Sequence, residues 1–600
     1  MLTASAALAL TSACVSGSIA NGPNPDDSGN GGPQGGASSG GQQPGNAGRT
    51  GSATPPGGVA TVPAPTALPE ETACTGGSPG PGVLRRLTAG EFAASIADLF
   101  GDKAAPVAPV FNDSRVLGFA VDSNTLRVQD LNADQLMTNA EAVAAWAVGP
   151  GNKLPQLSTC STLDETCAKS FIKSFGRKAF RTAISDNDPR LKLYSDLLLA
   201  EADFATGASA VISAMLQSPY FLYRSEIGPG VATKGLVLLT PYEVASSLSY
   251  LLTGSTPDDT LLKAAEAVPN GDEKKLKEMV EAQEARLLAP SGADPLTPAA
   301  QDALMNFMSG WLGLDRLYTN VKDDTVQVLT AEQRADMATE TKKFILDIWG
   351  ASTGNTVGDL FGANYTFLNQ NLANYYKLDA SGLSSSFSKV TIPSGSDRDG
   401  GILGQASILI GYARSNGSSP TQRGHLVRSR ILCQDVAPPP AGVDTTFSPN
   451  ANLKTTRAQY LEGHAAPDHQ PCYGCHKAMD PIGVAFEHYD AFGKYRPTEN
   501  GETIDATGTI YSASLTDGDI EINGLSGPDS LQHYLAKSEG VKMCLVRYWS
   551  YYAFGTASWP QDKCTYDAIR SEAAAKSFSL KGVLTAILNS PRFIQRDNGQ

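Results

Sequence analysis

Five consecutive residues, Cys472-Tyr473-Gly474-Cys475-His476, carry the clearest chemistry in this 600-residue chain. Two cysteines about one helical turn apart can each add to a vinyl group of a haem. A histidine directly after the second then lies under the iron as its proximal ligand. The expectation is one haem c, attached through Cys472 and Cys475 and ligated by His476. Two other chemistries use the same residues. His464, His469, Cys472, Cys475 and His476 fall within thirteen positions, a spacing that also suits a tetrahedral zinc site. Cys472 and Cys475 alone would make a redox disulfide.

A haem needs a decision about its far face. His464 precedes Cys472 by eight residues, and the intervening loop is long enough to wrap around a haem edge, which makes His464 the candidate distal ligand. Met543 is a later candidate. Met479 is too close to His476 in sequence to reach the other face. Arg423 and Arg496 could fork onto the propionates, although a surface or structural ion pair is the plainer reading. Asp480-Pro481-Ile482-Gly483 reads as the turn that ends the haem helix. Glu487 and Asp490 are spaced like a solvated helix face rather than an acid–base pair. No Ser-His-Asp set and no phosphate-cradling glycine loop is found.

The segments around the motif say where such chemistry would operate. Haem attachment belongs outside the bacterial cytoplasm, and the chain opens with apolar and small residues, Leu2 to Ala13, before a lone Cys14. This resembles a lipoprotein processing site with Cys14 as the lipidated residue, or a plain secretion signal, although the basic residues that ordinarily open such a segment are missing. Residues 15–73 are rich in Gly, Pro, Ser and Asn and hold too few large apolar groups to offset ordering entropy, so they read as a disordered tether. The expected location is therefore the periplasm, the outer membrane or the cell surface, with the membrane touched only through a lipid anchor. The net charge of −14 argues against nucleic acid as a partner. The expected partner is a redox protein that the sequence does not identify.

Six cysteines remain: Cys74, Cys160, Cys167, Cys433, Cys544 and Cys564. An even number in an exported chain points to disulfides. Proximity favours Cys160 with Cys167 and Cys544 with Cys564, which leaves Cys74 with Cys433; buried free thiols are the other reading.

These residues have to be held by a fold that reads as mainly α: a multi-helical body with an embedded cytochrome c-like haem segment and a small β element near 501–526. Two internal repeats support it. Leu87-Thr88-Ala89-Gly90-Glu91-Phe92 resembles Leu239-Thr240-Pro241-Tyr242-Glu243-Val244, and each carries a capping box in which Thr and Glu satisfy a helix N-terminus. Gly101 and Gly254 are placed to stop the two helices. Val211 to Phe221 likewise resembles Val583 to Phe593; both end an apolar helix at Ser-Pro, and Arg224 and Arg596 follow at matching positions. These repeats read as core. Residues 378–400 and 434–452 read as polar loops, and Thr507-Gly508-Thr509-Ile510-Tyr511 as part of a strand pair. The organisation expected is a signal or lipobox-like segment 1–14, a linker 15–73, helical domains 74–150, 151–234 and 235–377, a haem-binding segment 378–500 and a helical domain 501–600.

The run from Cys472 through Asp480-Pro481-Ile482-Gly483, Glu487, Asp490, Gly493 and Arg496 resembles a large family of exported bacterial proteins. So do Arg85-Arg86-Leu87-Thr88, Ser218-Pro219-Tyr220-Phe221, Arg398 to Gly404, Ser419 to Gly424 and Pro438 to Pro440. That family is built from adjacent domains of unknown function found with planctomycete-type cytochrome C domains. The resemblance covers nearly the whole body. It departs at Tyr552-Ala553-Phe554-Gly555-Thr556, where the family's arginine is replaced. In that family a histidine recurs just before the motif, at the position of His464, which would give bis-His ligation. The leading functional reading, drawn from the haem motif itself, is a monohaem electron carrier or the electron-transfer subunit of an exported oxidoreductase system. The alternative function is an exported haem- or zinc-dependent enzyme or substrate-binding protein.

Overall fold

Two short strand pairs close the chain on itself at places far apart in sequence. Val83–Arg86 pairs antiparallel with Tyr223–Glu226, in the register Val83 to Glu226 and Arg86 to Tyr223. Leu236–Leu238 pairs antiparallel with Gln595–Asp597. The computed structural model of the chain describes residues 79–230, 235–393, 398, 401–437, 447–464, 466–469, 472–511, 519–527, 529–556 and 563–597. The expected signal segment, the tether, Cys14 and Cys74 lie outside the described residues.

Each closing pair is built from the sequence repeats. After the first strand, helix Ala89–Phe100 begins at Thr88, whose hydroxyl accepts the Glu91 N–H at 3.1 Å while the Glu91 carboxylate accepts the Thr88 N–H at 2.9 Å. After the third strand, helix Pro241–Thr253 begins in the same way, with 3.2 Å and 2.9 Å between Thr240 and Glu243. Gly101 and Gly254 end the two helices at φ 61° and 69°, in the left-handed region that a Cβ disfavours. The closing strands are delivered by the second repeat. Helix Phe204–Gln217 stops before Pro219, a single turn Pro219–Leu222 follows, and the chain extends into Tyr223–Glu226. Helix Leu580–Asn589, the turn Pro591–Ile594 and Gln595–Asp597 repeat that sequence of elements. A proline cannot continue the preceding helix but starts the next with φ already set.

The first closure encloses a core of Ile96, Phe171, Phe175, Ile212, Met215 and Phe221. The second encloses Leu248, Phe307, Trp311, Phe344, Trp549 and Ile587. The two meet at Glu226, which is 1% exposed. Its carboxylate pairs with Arg85 at 3.2 Å and with Arg596, and accepts the Ser247 hydroxyl at 3.2 Å. Burial alone would raise the Glu226 pKa, but Arg85, Arg596 and Arg224 outweigh it and hold the group at about 2.

The molecule is mainly helical with small antiparallel sheets. The β element expected near 501–526 is present as Thr507–Ile510 paired with Ile520–Asn523. One segment read as loop is partly strand: Ser388–Thr391 pairs with Tyr365–Leu368, because Val390 has an apolar cluster to pack against. No helix among the described residues is long and apolar enough to cross a membrane.

The disulfides correct the expected pairing. Cys160 and Cys167 are joined, as proximity suggested. Cys544 is joined to Cys433, so it is bonded neither to Cys564 nor is Cys433 bonded to Cys74. Sequence distance misled here. Cys544 sits on helix Glu539–Phe554, which packs against the helical segment ending at Ile431, two residues before Cys433. Cys564 is disulfide-bonded as well.

Candidate functional site

Two glycines let two helices approach closely enough to build the site, and a third seats a strand against them. Cys472, Cys475 and His476 open helix Cys472–Gly483. Helix Pro420–His425, capped by the Ser419 hydroxyl, lies against it and continues in wider π-helical turns as Leu426–Ile431. A Cβ on Gly424 would stand 1.9 Å from the Met479 carbonyl oxygen, and one on Gly483 would stand 1.8 Å from that of Pro420. Backbone touches backbone at both places, so any side chain would force the helices apart. On the far side, a Cβ on Gly508 would stand 2.0 Å from the Pro481 carbonyl oxygen, which fixes the strand Thr507–Ile510 there.

Asp480-Pro481-Ile482-Gly483 does not form the expected turn. The helix passes through Pro481 to Gly483 and ends in the tighter turn Val484–Phe486. Proline removes one N–H and crowds the preceding turn, yet the packing of this segment on the Pro420 helix and on Gly508 holds it helical.

The close approach places Thr421 over the haem-motif histidine. The His476 Nδ1 lies 2.9 Å from Asp480 Oδ2 and 3.3 Å from the Thr421 hydroxyl. That hydroxyl donates to Asp480 Oδ1 at 2.7 Å. Asp480 is fully buried, and both its oxygens are used in this way. Asp480 lies one helical turn after His476, so the pair is the i, i+4 neighbour relation of any helix.

His464 is brought to the same place by a different element. Helix Thr456–Ala458 widens into π-helical turns over Gln459–His464. The His464 ring meets the His476 ring edge to face, with centroids 4.8 Å apart. Behind it, Phe447 stacks on Tyr460 at 4.6 Å, and the Arg414 guanidinium covers Phe447 at 4.2 Å. Burial, then the neighbouring His476, push the His464 pKa below the ordinary histidine value, while Asp480 pulls the other way. Met479 is buried, and its carbonyl faces Gly424. Met543 lies on helix Glu539–Phe554, and no contact among the described residues brings it to His476. His469 is exposed.

Arg423 and Arg496 are structural. Arg423 is fully buried and donates to the carbonyls of Leu409, Phe486, Tyr489 and Asp490. Arg496 pairs with Glu487 at 2.8 Å and with Glu499 at 2.7 Å. Glu499 in turn accepts from the backbone and hydroxyl of Thr456, so Arg496 straps the His464 segment to the loop after the haem-motif helix. Glu487 is buried, not solvated; burial raises its pKa against the pull of Arg423 and Arg496. Asp490 accepts the backbone N–H groups of Phe492 and Lys494 and shapes a turn.

Cys472 and Cys475 are half-buried free thiols, whereas Cys160, Cys167, Cys433, Cys544 and Cys564 are disulfide-bonded. Among the described residues, no group of three or more His, Cys, Asp or Glu is arranged to hold a bare metal ion. The donor set fits a thioether-attached haem: two free thiols on one helical turn, and a histidine anchored through Nδ1 so that Nε2 is the nitrogen left for iron.

Five family models match the chain, each described as a protein of unknown function. They are DUF1587 over residues 85–149, DUF1595 over 167–226, DUF1592 over 239–378, DUF1588 over 399–499 and DUF1585 over 523–593. The five models follow one another along the body of the chain, from residue 85 to residue 593. The DUF1588 model, also named PSCyt3, encloses Thr421, His464, the haem motif and Asp480. No curated protein and no solved structure matches the chain.

Asp480 and Thr421 are the site residues that reading the sequence missed. For Asp480 the signal was present in its spacing from His476. For Thr421, fifty-five residues earlier in the chain, there was none.

Proposed function

We propose that the chain is an exported c-type cytochrome that carries one haem, attached through Cys472 and Cys475 and ligated by His476, and transfers electrons within a periplasmic or surface oxidoreductase system. The observation that carries the reading is the contrast among cysteines. Those of the motif are free and adjacent on one helical turn, while the other described cysteines are in disulfides. The PSCyt name of the model over 399–499 agrees with it. Disulfides persist in oxidising compartments, which supports export; Cys14 would then be the lipid-anchored residue.

The haem would supply one-electron exchange between ferric and ferrous iron. The chain's own residues hold it by two thioethers, fix the ligand ring through Nδ1, and keep His464 within reach as the distal partner. The partner is a redox protein, met by an acidic chain.

Protein matured in a host that assembles c-type cytochromes should show a Soret band and remain red after denaturation, because the haem is covalently held. Colourless protein, or colour lost on denaturation, overturns the reading.

A further inference from the structure

Asp480 does more at this site than fill a helix position. A fully buried carboxylate is costly unless its oxygens are paired, and among the described residues this one is paired with two side chains, His476 and Thr421. Both partners converge on one nitrogen. The Thr421 hydroxyl spends its proton on Asp480 Oδ1. What it offers His476 Nδ1 at 3.3 Å is therefore a lone pair. With two acceptors facing it, Nδ1 carries the ring proton, and Nε2 is left with its lone pair. The arrangement cannot drift, because Gly424 and Gly483 clamp the Thr421 helix to the His476 helix backbone to backbone.

Resting on the haem reading above, we infer that Asp480, oriented by Thr421, is a positioning residue that fixes the tautomer of His476 and sets its strength as a ligand, so that the site holds the oxidised state and gives up an electron readily. The physical reason is electrostatic. A carboxylate accepting the Nδ1–H draws that proton toward itself and raises electron density on Nε2. A stronger donor ligand favours the more highly charged iron and lowers the reduction potential. A neutral acceptor such as a backbone carbonyl would do this less.

The test uses the full chain in two forms. In protein made without haem maturation and labelled with 15N-histidine, the His476 signal, assigned with His476→Ala, should show an Nδ1–H tautomer. Asp480→Asn, which presents an amide that can donate to the ring, should shift it toward Nε2–H. In the haem-loaded protein, Asp480→Asn should raise the midpoint potential, with at least a tenfold gain in the ferrous-to-ferric ratio at fixed potential, or about 59 mV for a one-electron couple. Thr421→Val keeps the Asp480 contact and should give a smaller rise. It remains informative if Asp480→Asn fails to fold, as does Asp480→Glu, which should restore a low potential. An unchanged tautomer in Asp480→Asn, or a potential that moves with neither Asp480 nor Thr421, overturns the inference. Failure of the wild type to acquire haem would sink the cytochrome reading instead, and the tautomer measurement would still judge the role of Asp480.

Discussion

The two closures of the chain are the same device used on different scales. In the first, strand and capped helix (83–100) meet helix, Ser-Pro turn and strand (204–226), and residues 101–203 are enclosed between them. In the second, the matching elements are 236–253 and 580–597, and the enclosed chain is more than twice as long. The first holds packed helices and one long irregular stretch, 101–129. The second holds the additional small sheets, the two π-helical segments and every residue of the candidate site. A closure whose ends pair in two strands leaves the path between them free to grow, since loop-closure entropy rises only slowly with length. The candidate site lies in the longer closure.

The comparison predicts where the molecule is most sensitive. Glu226 closes the first unit, yet it pairs with Arg596 from the last strand of the second. Glu226→Gln would leave Arg85, Arg224 and Arg596 buried without their shared anion, a loss of about 3–5 kcal/mol for breaking a buried pair. Chemical denaturation at pH 7 should show it. The pH dependence has a definite sign. The folded-state pKa is about 2 against an ordinary 4.5, so the stabilisation is fully present above pH 4.5 and is lost as pH falls toward 2. The gap between wild type and Glu226→Gln should therefore narrow across that interval. A gap independent of pH would show that the two closures do not share this charge.

The disulfides offer a sharper contrast. Cys160 and Cys167, in the first closure, span a sequence separation of 7; Cys433 and Cys544, in the second, span 111. On the chain-entropy scaling, the longer loop restricts the unfolded state more, by about 2.5 kcal/mol. Cys433→Ser with Cys544→Ser should thus lower the unfolding midpoint clearly more than Cys160→Ser with Cys167→Ser. Equal losses would mean that native-state contacts, not loop length, govern both.

Much of the closures could be read from the chain. Thr88-x-x-Glu91 and Thr240-x-x-Glu243 each state a helix start in four residues, Gly101 and Gly254 state the stops, and Ser218-Pro219 and Ser590-Pro591 state the breaks, because capping and proline chemistry are local. The strand pairing between such distant segments was not legible, since a three- or four-residue strand carries too little pattern to name its partner. The candidate site divides in the same way. Cys472, Cys475 and His476 declare themselves by spacing. Thr421 and the Cys433–Cys544 bond depend on which helices touch, and that was decided by Gly424, Gly483 and the packing of helix Glu539–Phe554, none of which advertises its partner. Glu487 was misplaced toward the surface because charged residues are seldom fully buried; here Ser418, Arg496 and Arg423 pair with its carboxylate.

If the closures are equivalent, their caps should respond alike, and this is the smallest effect in the set. Thr88→Ala and Thr240→Ala each remove one side-chain acceptor from a helix N-terminus while leaving the Glu91 and Glu243 carboxylates in place. Each should cost about 1 kcal/mol, and Ser at either position should recover most of it. The C-terminal ends give an independent check. A Cβ at Gly101 or Gly254 meets nothing within 4 Å, yet both residues have positive φ. Gly101→Ala and Gly254→Ala should therefore cost about 1–2 kcal/mol through backbone strain alone, again equally, and Asn should be better tolerated than Ala at both. Unequal caps would point to differences around the boxes, among them the reach of Glu243. The second carboxylate oxygen of Glu243 also accepts the Ser225 hydroxyl and the N–H groups of Ile227 and Gly228, and so ties the start of the second closure to the segment that ends the first.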